Sequence, residues 1–570
     1  MAFATVTASV TSSLRRRGER VKEHVKQKKS PSGWVLPRQT TTFTDEGSWS
    51  NIDSDVTPIE RRTWSTWTVL GFWFSDALNA QGWEGAASII AVGLTWREAL
   101  YCLIIGYTMV IIPLMLNGAI GAHLHVNFAV ASRSSFGFYL SRGAVVIRMI
   151  TALFWHAIQT YTGSTAMTQI IRAIWPSYLN IPNTIPASAG ITSQQLCSHV
   201  LFWSLQFPFL LIPPHKLRWF FVFKTVIVMV VSVAVIIALC VQAGGAGDIW
   251  MQQATVSGPA KSWLVLSSMS SITGSWVTMG TNIPDFTRYL KKSKGVYWQA
   301  LFMPFIASLM GIFGIIAASA GRVLYGSYIW DPVQMAAQWD GPSGRCGAFF
   351  VGLCWVVAQI GTNISANVIS CSNDMTTLCP KYINIRRGAI ITTLIGGWVM
   401  VPWKIISSAA SLLTFMASLA VFLAPISAII GADFWIVKRR RVDIPSLYRR
   451  QGIYRYKGGV NWRAAVAFLI SVVPNLPGMA HAVTPSLSVG TIVHIYDISF
   501  MWGFSSGFII YCALNYFWPA TETLVESTIF DETKMVNGVP VYNDGLATPS
   551  ESKFEAKFEG KSISPVTSSV

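Results

Sequence analysis

Residues 71–94 read GFWFSDALNAQGWEGAASIIAVGL, an apolar stretch long enough to cross a bilayer that carries Asp76, Asn79, Gln81 and Glu84 around Gly82. Hydrocarbon offers no partner to a carboxylate or an amide, so such side chains within a span face a pathway or one another. A second stretch, SITGSWVTMGTNIPDFTRYL at 271–290, combines Gly274, Gly280, Asn282, Pro284 and Asp285. Glycine weakens a helix and proline removes a donor from it. Both stretches are therefore expected to be discontinuous helices. They are the first and sixth of twelve apolar runs, at about 67–93, 97–121, 144–174, 197–213, 217–242, 264–290, 296–325, 347–371, 387–403, 406–436, 462–483 and 497–519. That spacing is expected of five helices repeated in inverted orientation, with the broken helices meeting at a midplane site.

The composition fits this reading. Hydrophobic residues make up 52% of the 570 and charged residues 12%, about half the charged share usual in soluble domains. Mean hydropathy is +0.45. Runs such as VIVMVVSVAVIIALCV do not alternate, which excludes a β-barrel. The fold class is thus an all-α integral membrane protein with twelve spans. A net charge of +17 would suit nucleic acid, but alternate loops carry 20 Lys and Arg on one side against 5 on the other. Short cytosolic loops retain these residues. The expected partner is the lipid bilayer, not nucleic acid, and both termini are expected in the cytosol. The chain divides into a basic tail (1–63), a membrane domain (64–519) and a polar tail (520–570) expected to be disordered. The run LRRRGERVKEHVKQKK (14–29) suits anionic lipid, and the basic run from Lys438 to Lys457 reads as lipid-facing cytosolic charge. The oligomeric state is not legible.

No chemistry of bond making is visible. The eight cysteines form no CxxC pair and the eight histidines do not cluster, so no metal or cofactor is expected. Gly503-Phe-Ser505-Ser-Gly507 matches a hydrolase pattern, but it lies in an apolar run, where small residues permit close helix contact. The third run contains Trp155, His156 and Gln159. Trp155 and Gln159 share a helix face, and an indole beside a carboxamide suits a flat heterocycle. Core packing accounts for the indole equally well, and His156 reads as a packed, neutral histidine. The eighth run places Gln359, Thr362, Asn363, Ser365 and Asn367 within nine positions, either to bind a ligand or to join helices by hydrogen bonds.

Several long motifs resemble the nucleobase–cation symporter family, in its fungal Fur-type branch of uracil, allantoin and uridine permeases. They are Pro58-Ile-Glu-Arg-Arg-Thr-Trp64, FWFSDALN (72–79), LFWHAIQ (153–159), NIPDFTRY (282–289), AQIGTNISAN (358–367), NIRRG (384–388) and KRRRVDIPSLYRRQGIYRYKGGVNWRA (438–464). The resemblance spans roughly residues 50–520. It implies a LeuT-type fold of two inverted five-helix repeats plus two helices. It also implies a substrate stacked between Trp155 and Trp276, hydrogen-bonded by Gln159 and Asn367, with Asn79 and the Ser275 backbone beside it.

In a sodium-using relative the eighth helix gives one carbonyl and two hydroxyls to the ion. The matching positions are Ala358, Gly361 and Thr362, with Ser75 and Leu78 as candidates from the first helix. Gly361 lacks the hydroxyl, and hard cations need a full set of oxygens. A proton is therefore the expected coupling ion, with sodium less favoured, and Asp76, Glu84 and Asp285 are the candidate carriers. Asp285 pairing with Arg288 is the structural alternative. Met416 in the tenth run is a candidate outer gate. The expected function is import of uracil or allantoin across the plasma membrane by proton symport. Uridine, uric acid or thiamine as cargo, or a sensor without transport, are the alternatives.

Overall fold

The computed structural model describes residues 31–37 and 49–530, with a two-residue antiparallel strand pair at Met535–Val536 and Val539–Pro540. The basic run 14–29 and most of the C-terminal tail lie outside the described residues. The other regular elements among the described residues are helices. In chain order the helices used below are α1 (Thr66–Ala77), α2 (Ala80–Ala91), α3 (Trp96–Leu124), α4 (Phe128–Phe136), α5 (Ser141–Ile174), α6 (Ser193–Leu210), α7 (Arg218–Gln242), α8 (Gly258–Asn282), α9 (Pro284–Thr287), α10 (Gln299–Tyr325), α11 (Pro332–Ala336), α12 (Gly341–Thr362), α13 (Ile369–Leu378), α14 (Ile385–Trp398), α15 (Pro402–Ile405), α16 (Ala409–Ala432), α17 (Ile444–Tyr448), α18 (Trp462–Val472), α19 (Leu476–Val483), α20 (Val493–Asp497) and α21 (Ser499–Phe517).

A helix lies at each of the twelve apolar runs, yet among the described residues only seven stretches are long and apolar enough to cross a membrane on length and composition. An eighth is added if Gly490–Asp497 and Ser499–Phe517 form one bent span. The shortfall from twelve has physical causes. The first run is split into two 12-residue helices, and α14 has only 14 residues. Helices α6 and α8 bury polar side chains, among them His199, Gln206, Ser268, Ser271 and Thr273.

The sixth run corrects the expectation of a second broken helix. α8 winds without interruption through Gly274 and Gly280, and only Ile283, itself with helical angles, separates it from α9. The glycines serve packing. A Cβ on Gly274 would stand 2.1 Å from Met416 O, and one on Gly280 would stand 3.3 Å from Pro113. Pro284 opens a new helical turn, where its missing N–H has no intrahelical acceptor to lose.

The core forms where α8 packs on α16 and α3, α5 on α12, and α16 on α21. Gly503 and Gly507 of α21 pack against Pro425 of α16, so the hydrolase-like pattern is a helix crossing. Between α12 and α13 the chain makes a π-helical turn, Asn363–Val368. Such turns re-aim side chains and recur at functional sites.

The outer boundaries also move. Residues 49–64 pack under the helices instead of trailing away: Asn51 Nδ2 donates to Pro380 O and Ile383 O, and Trp64 N donates to Tyr289 O at 2.9 Å. At the other end Ile529 pairs with the 442–444 loop, so order extends past residue 520. Lys438, read as lipid-facing, is instead buried in an ion pair with Asp433 at 2.6 Å, where a buried charge needs such a partner.

Candidate functional site

The break between α1 and α2 is made by one side chain. Asn79 caps α2, its Oδ1 accepting from Gly82 N at 2.8 Å, while its Nδ2 donates back to Asp76 O at 2.7 Å. Leu78 at the junction leaves helical geometry, with φ −81° and ψ 80°. The end of α1 therefore presents carbonyls without intrahelical donors. Ser75 O accepts from Lys224 Nζ on α7, and the same ammonium donates to Thr362 Oγ1 at 2.8 Å. Lys224 is fully buried. Asp76 lies within its electrostatic reach and accepts from Ser365 Oγ at 2.7 Å.

This arrangement explains Gly361. A Cβ at that position would stand 2.5 Å from Lys224 Cδ. The hydroxyl expected there is missing because the lysine stem fills the space. An ammonium thus occupies the gap among Ser75, Thr362 and Asp76, with Ala358 one turn earlier on α12.

Trp155 and Trp276 are both buried, at 7% and 8% exposure, so neither faces lipid. Trp155 packs edge-on against Phe415, with centroids 5.5 Å apart, and Trp276 tilts against Trp73 at 5.9 Å. Trp155 Nε1 and Gln159 Oε1 are buried without a hydrogen-bond partner among the described residues. Unpaired buried polar atoms are costly, and a ligand is one way to satisfy them. Asn367, on the π turn, donates through Nδ2 to Asn363 Oδ1 at 2.9 Å. Asn79 is engaged in capping through both ends of its amide, and the Ser275 hydroxyl donates to Ile272 O, which leaves the Ser275 backbone as the expected contact.

Three further expected residues have partners of their own. Glu84 accepts from Gln81, which also donates to Thr162 and accepts from Gln359. Asp285 accepts from Phe128 N at 2.9 Å and so anchors the start of α4. Its expected partner Arg288 donates instead to Asp53 O and Tyr289 Oη. Met416 packs against Gly85, with its carbonyl over Gly274; its neighbour Phe415 is the residue that touches Trp155.

Residues 55–503 match the family model of permeases for cytosine/purines, uracil, thiamine and allantoin. The chain belongs to the nucleobase–cation symporter family. Among relatives of this chain, a permease of Schizosaccharomyces pombe is 38% identical, covering 89% of each chain. The uracil permease of Saccharomyces cerevisiae is 31% identical over 84% of this chain and 78% of its own. The fold is that of Mhp1, a nucleobase-cation-symport-1 family transporter solved closed with bromovinylhydantoin bound. The TM-score is 0.66 at 21% identity, covering 89% of this chain and 100% of Mhp1. The LeuT-type architecture and the transporter class are thereby established, and the family is one of permeases, not enzymes.

Lys224 was not among the residues expected from the sequence, although a lysine inside the apolar run VFKTVIVM is a signal in itself. The same signal marks Arg148, which forms a fully buried ion pair with Asp374 and donates to Ser370 O.

Proposed function

We propose that the chain is a proton-coupled importer of a small planar heterocycle, with uracil or allantoin as cargo, acting at the plasma membrane with both termini in the cytosol. The observation that carries this reading is the Lys224 ammonium held between Ser75 O and Thr362 Oγ1. A sodium ion would need those same oxygens, and a tethered cation competes with it for them. A buried lysine also releases its proton more readily than an arginine. While charged, Lys224 joins α1, α7 and α12. A neutral amine gives up a donor and the attraction of Asp76, so the packing of α1 against α12 follows its protonation. Protonation then biases the equilibrium between outward-open and inward-open states. In this reading Trp155 and Trp276 stack on the cargo while Gln159 and Asn367 bond its edges.

The test is uptake of radiolabelled uracil and allantoin in a permease-null fungal host at two external pH values, with sodium present or replaced by choline. Uptake is expected to rise at acid pH, to collapse with a protonophore and to ignore the sodium exchange. Lys224→Met is expected to lose pH-driven accumulation while still exchanging bound cargo. Sodium-dependent uptake, or a Lys224→Met variant with the wild-type pH response, overturns the assignment. Competition by uridine, uric acid and thiamine ranks the remaining cargoes.

A further inference from the structure

Behind Asn367 runs a buried chain of side chains whose hydrogen-bond direction is set at one end. His156 O is a backbone carbonyl and can only accept. Thr160 Oγ1 lies 2.7 Å from it, the usual bond of a helical threonine to the carbonyl four residues back, so the Thr160 hydroxyl spends its one proton there. Thr160 Oγ1 must then accept from its other neighbours, Gln206 Nε2 at 2.9 Å and Asn363 Nδ2 at 3.2 Å. Gln206 Oε1, on the far side of that amide, accepts from Asn363 Nδ2 at 3.1 Å. With its nitrogen turned to Thr160 and Gln206, Asn363 offers its oxygen to Asn367, whose Nδ2 donates at 2.9 Å. The opposite polarity would set Asn363 Oδ1 against His156 O, which now lies 3.5 Å from Asn363 Nδ2, with no proton between two acceptors. His156, Thr160, Gln206 and Asn363 are all fully buried, so water does not rescue that arrangement.

The consequence falls on Asn367. One of its two Nδ2 protons is spent on Asn363, which turns the nitrogen end of the amide that way and the Oδ1 end away from it, and no protein group donates to Oδ1 among the described residues. We infer that Thr160 and Gln206 are positioning residues that hold Asn367 as a hydrogen-bond acceptor, so that the cargo must present a ring N–H to it, not a bare ring nitrogen. Ligands that carry an imide or lactam N–H at that edge satisfy the site. Ligands with a methylated or unprotonated nitrogen there leave Asn367 Oδ1 unpaired. The inference rests on the reading above that Asn367 meets the cargo, and it adds the polarity of that contact.

The experiment measures competition against radiolabelled uracil by uracil, 1-methyluracil, 3-methyluracil and cytosine, with surface amounts quantified for each variant. In the wild type one of the two N-methyl compounds is expected to compete about tenfold or more weakly than uracil, the size of one buried unpaired polar atom; where that compound is 3-methyluracil, cytosine, whose N3 carries no proton, is expected to be equally weak, and where it is 1-methyluracil, cytosine keeps its N1–H and is spared. Thr160→Val and Gln206→Leu free the amides to turn, and each is expected to shrink that ratio severalfold. Thr160→Ser keeps the hydroxyl and is expected to keep the ratio. A purely structural role would lower uptake of all ligands alike and leave the ratio unchanged. If Asn367→Ala weakens uracil but Thr160→Val and Gln206→Leu retain the wild-type ratio, the polarity chain is wrong and the site stands. If Asn367→Ala binds uracil as the wild type does, the site reading fails, and the polarity inference fails with it.

Discussion

The first and sixth spans carry similar sequence warnings, yet one breaks and the other stays wound. In the first, Asn79 caps a new helix and Lys224 arrives from α7 to take up a released carbonyl at Ser75. In the sixth, Gly274 and Gly280 lie inside continuous helix because Met416 O and Pro113 press against them. Helix-weakening residues permit a break, but a break persists only where other groups satisfy the backbone it exposes. Where a neighbouring helix needs close approach instead, the same glycine is a packing device. The distinction has a functional side. The broken span meets the Lys224 side chain at its released carbonyl, while the unbroken one carries the buried Trp276 and a tight crossing.

Three substitutions, with one second-site change and one control, press on this comparison. The largest effect is expected from Gly361→Ser, which puts an oxygen into the space of the Lys224 stem. Uptake should fall about tenfold or more, since overpacking typically costs about 1–3 kcal/mol, and adding Lys224→Ala should restore the folded amount. Wild-type uptake by the single variant would mean that Lys224 does not fill this pocket during transport. Next, Gly274→Ala should destabilise the purified protein by about 1–3 kcal/mol in thermal unfolding. Gly71→Ala, whose Cβ would meet nothing within 4 Å, serves as the neutral control. Asn79→Ala should cost about 1 kcal/mol through the lost cap. If its melting temperature is unchanged, capping is not what maintains the break.

The smallest effect concerns the segment leading into α1. Burial pushes the Asp55 carboxyl up from 3.8 to about 6, opposed by the Ser50 hydroxyl and aided by the charge of Asp53. The folded carboxyl holds its proton more tightly than the unfolded one. Docking of residues 49–64 is therefore favoured at pH below 3.8 and loses that contribution as pH rises through about 6. Asp55→Asn should raise the melting temperature at neutral pH by on the order of 1 °C and flatten its gain on acidification. An undiminished gain would place the titrating group elsewhere.

Much of the architecture was legible in the residues alone. Hydropathy marked the runs because burial in lipid depends on each residue's own chemistry. Asp76, Gln159 and Asn367 stood out because polar groups are expensive in hydrocarbon unless used, and Trp155 because it shares a helix face with Gln159. The boundaries of the tails were less legible, since residues 49–64 lack the hydrophobicity of a core and are fixed by hydrogen bonds to distant loops. That Asp285 anchors the start of α4 was not legible for a similar reason. A carboxylate reads the same whether it carries a proton or anchors a helix, and Phe128 N, its partner, is 157 positions away.

By itself the sequence determined a helical membrane transporter with a weak point in its first span and a set of polar residues on its third and eighth, because periodicity and solvation energy are local properties. Only the tertiary structure decided that Lys224 reaches Ser75 and Thr362, 149 and 138 positions distant, that the sixth span stays whole, and which end of the Asn367 amide is free. Those outcomes turn on which donor meets which acceptor, and that is settled by helices packing together and not by any one helix.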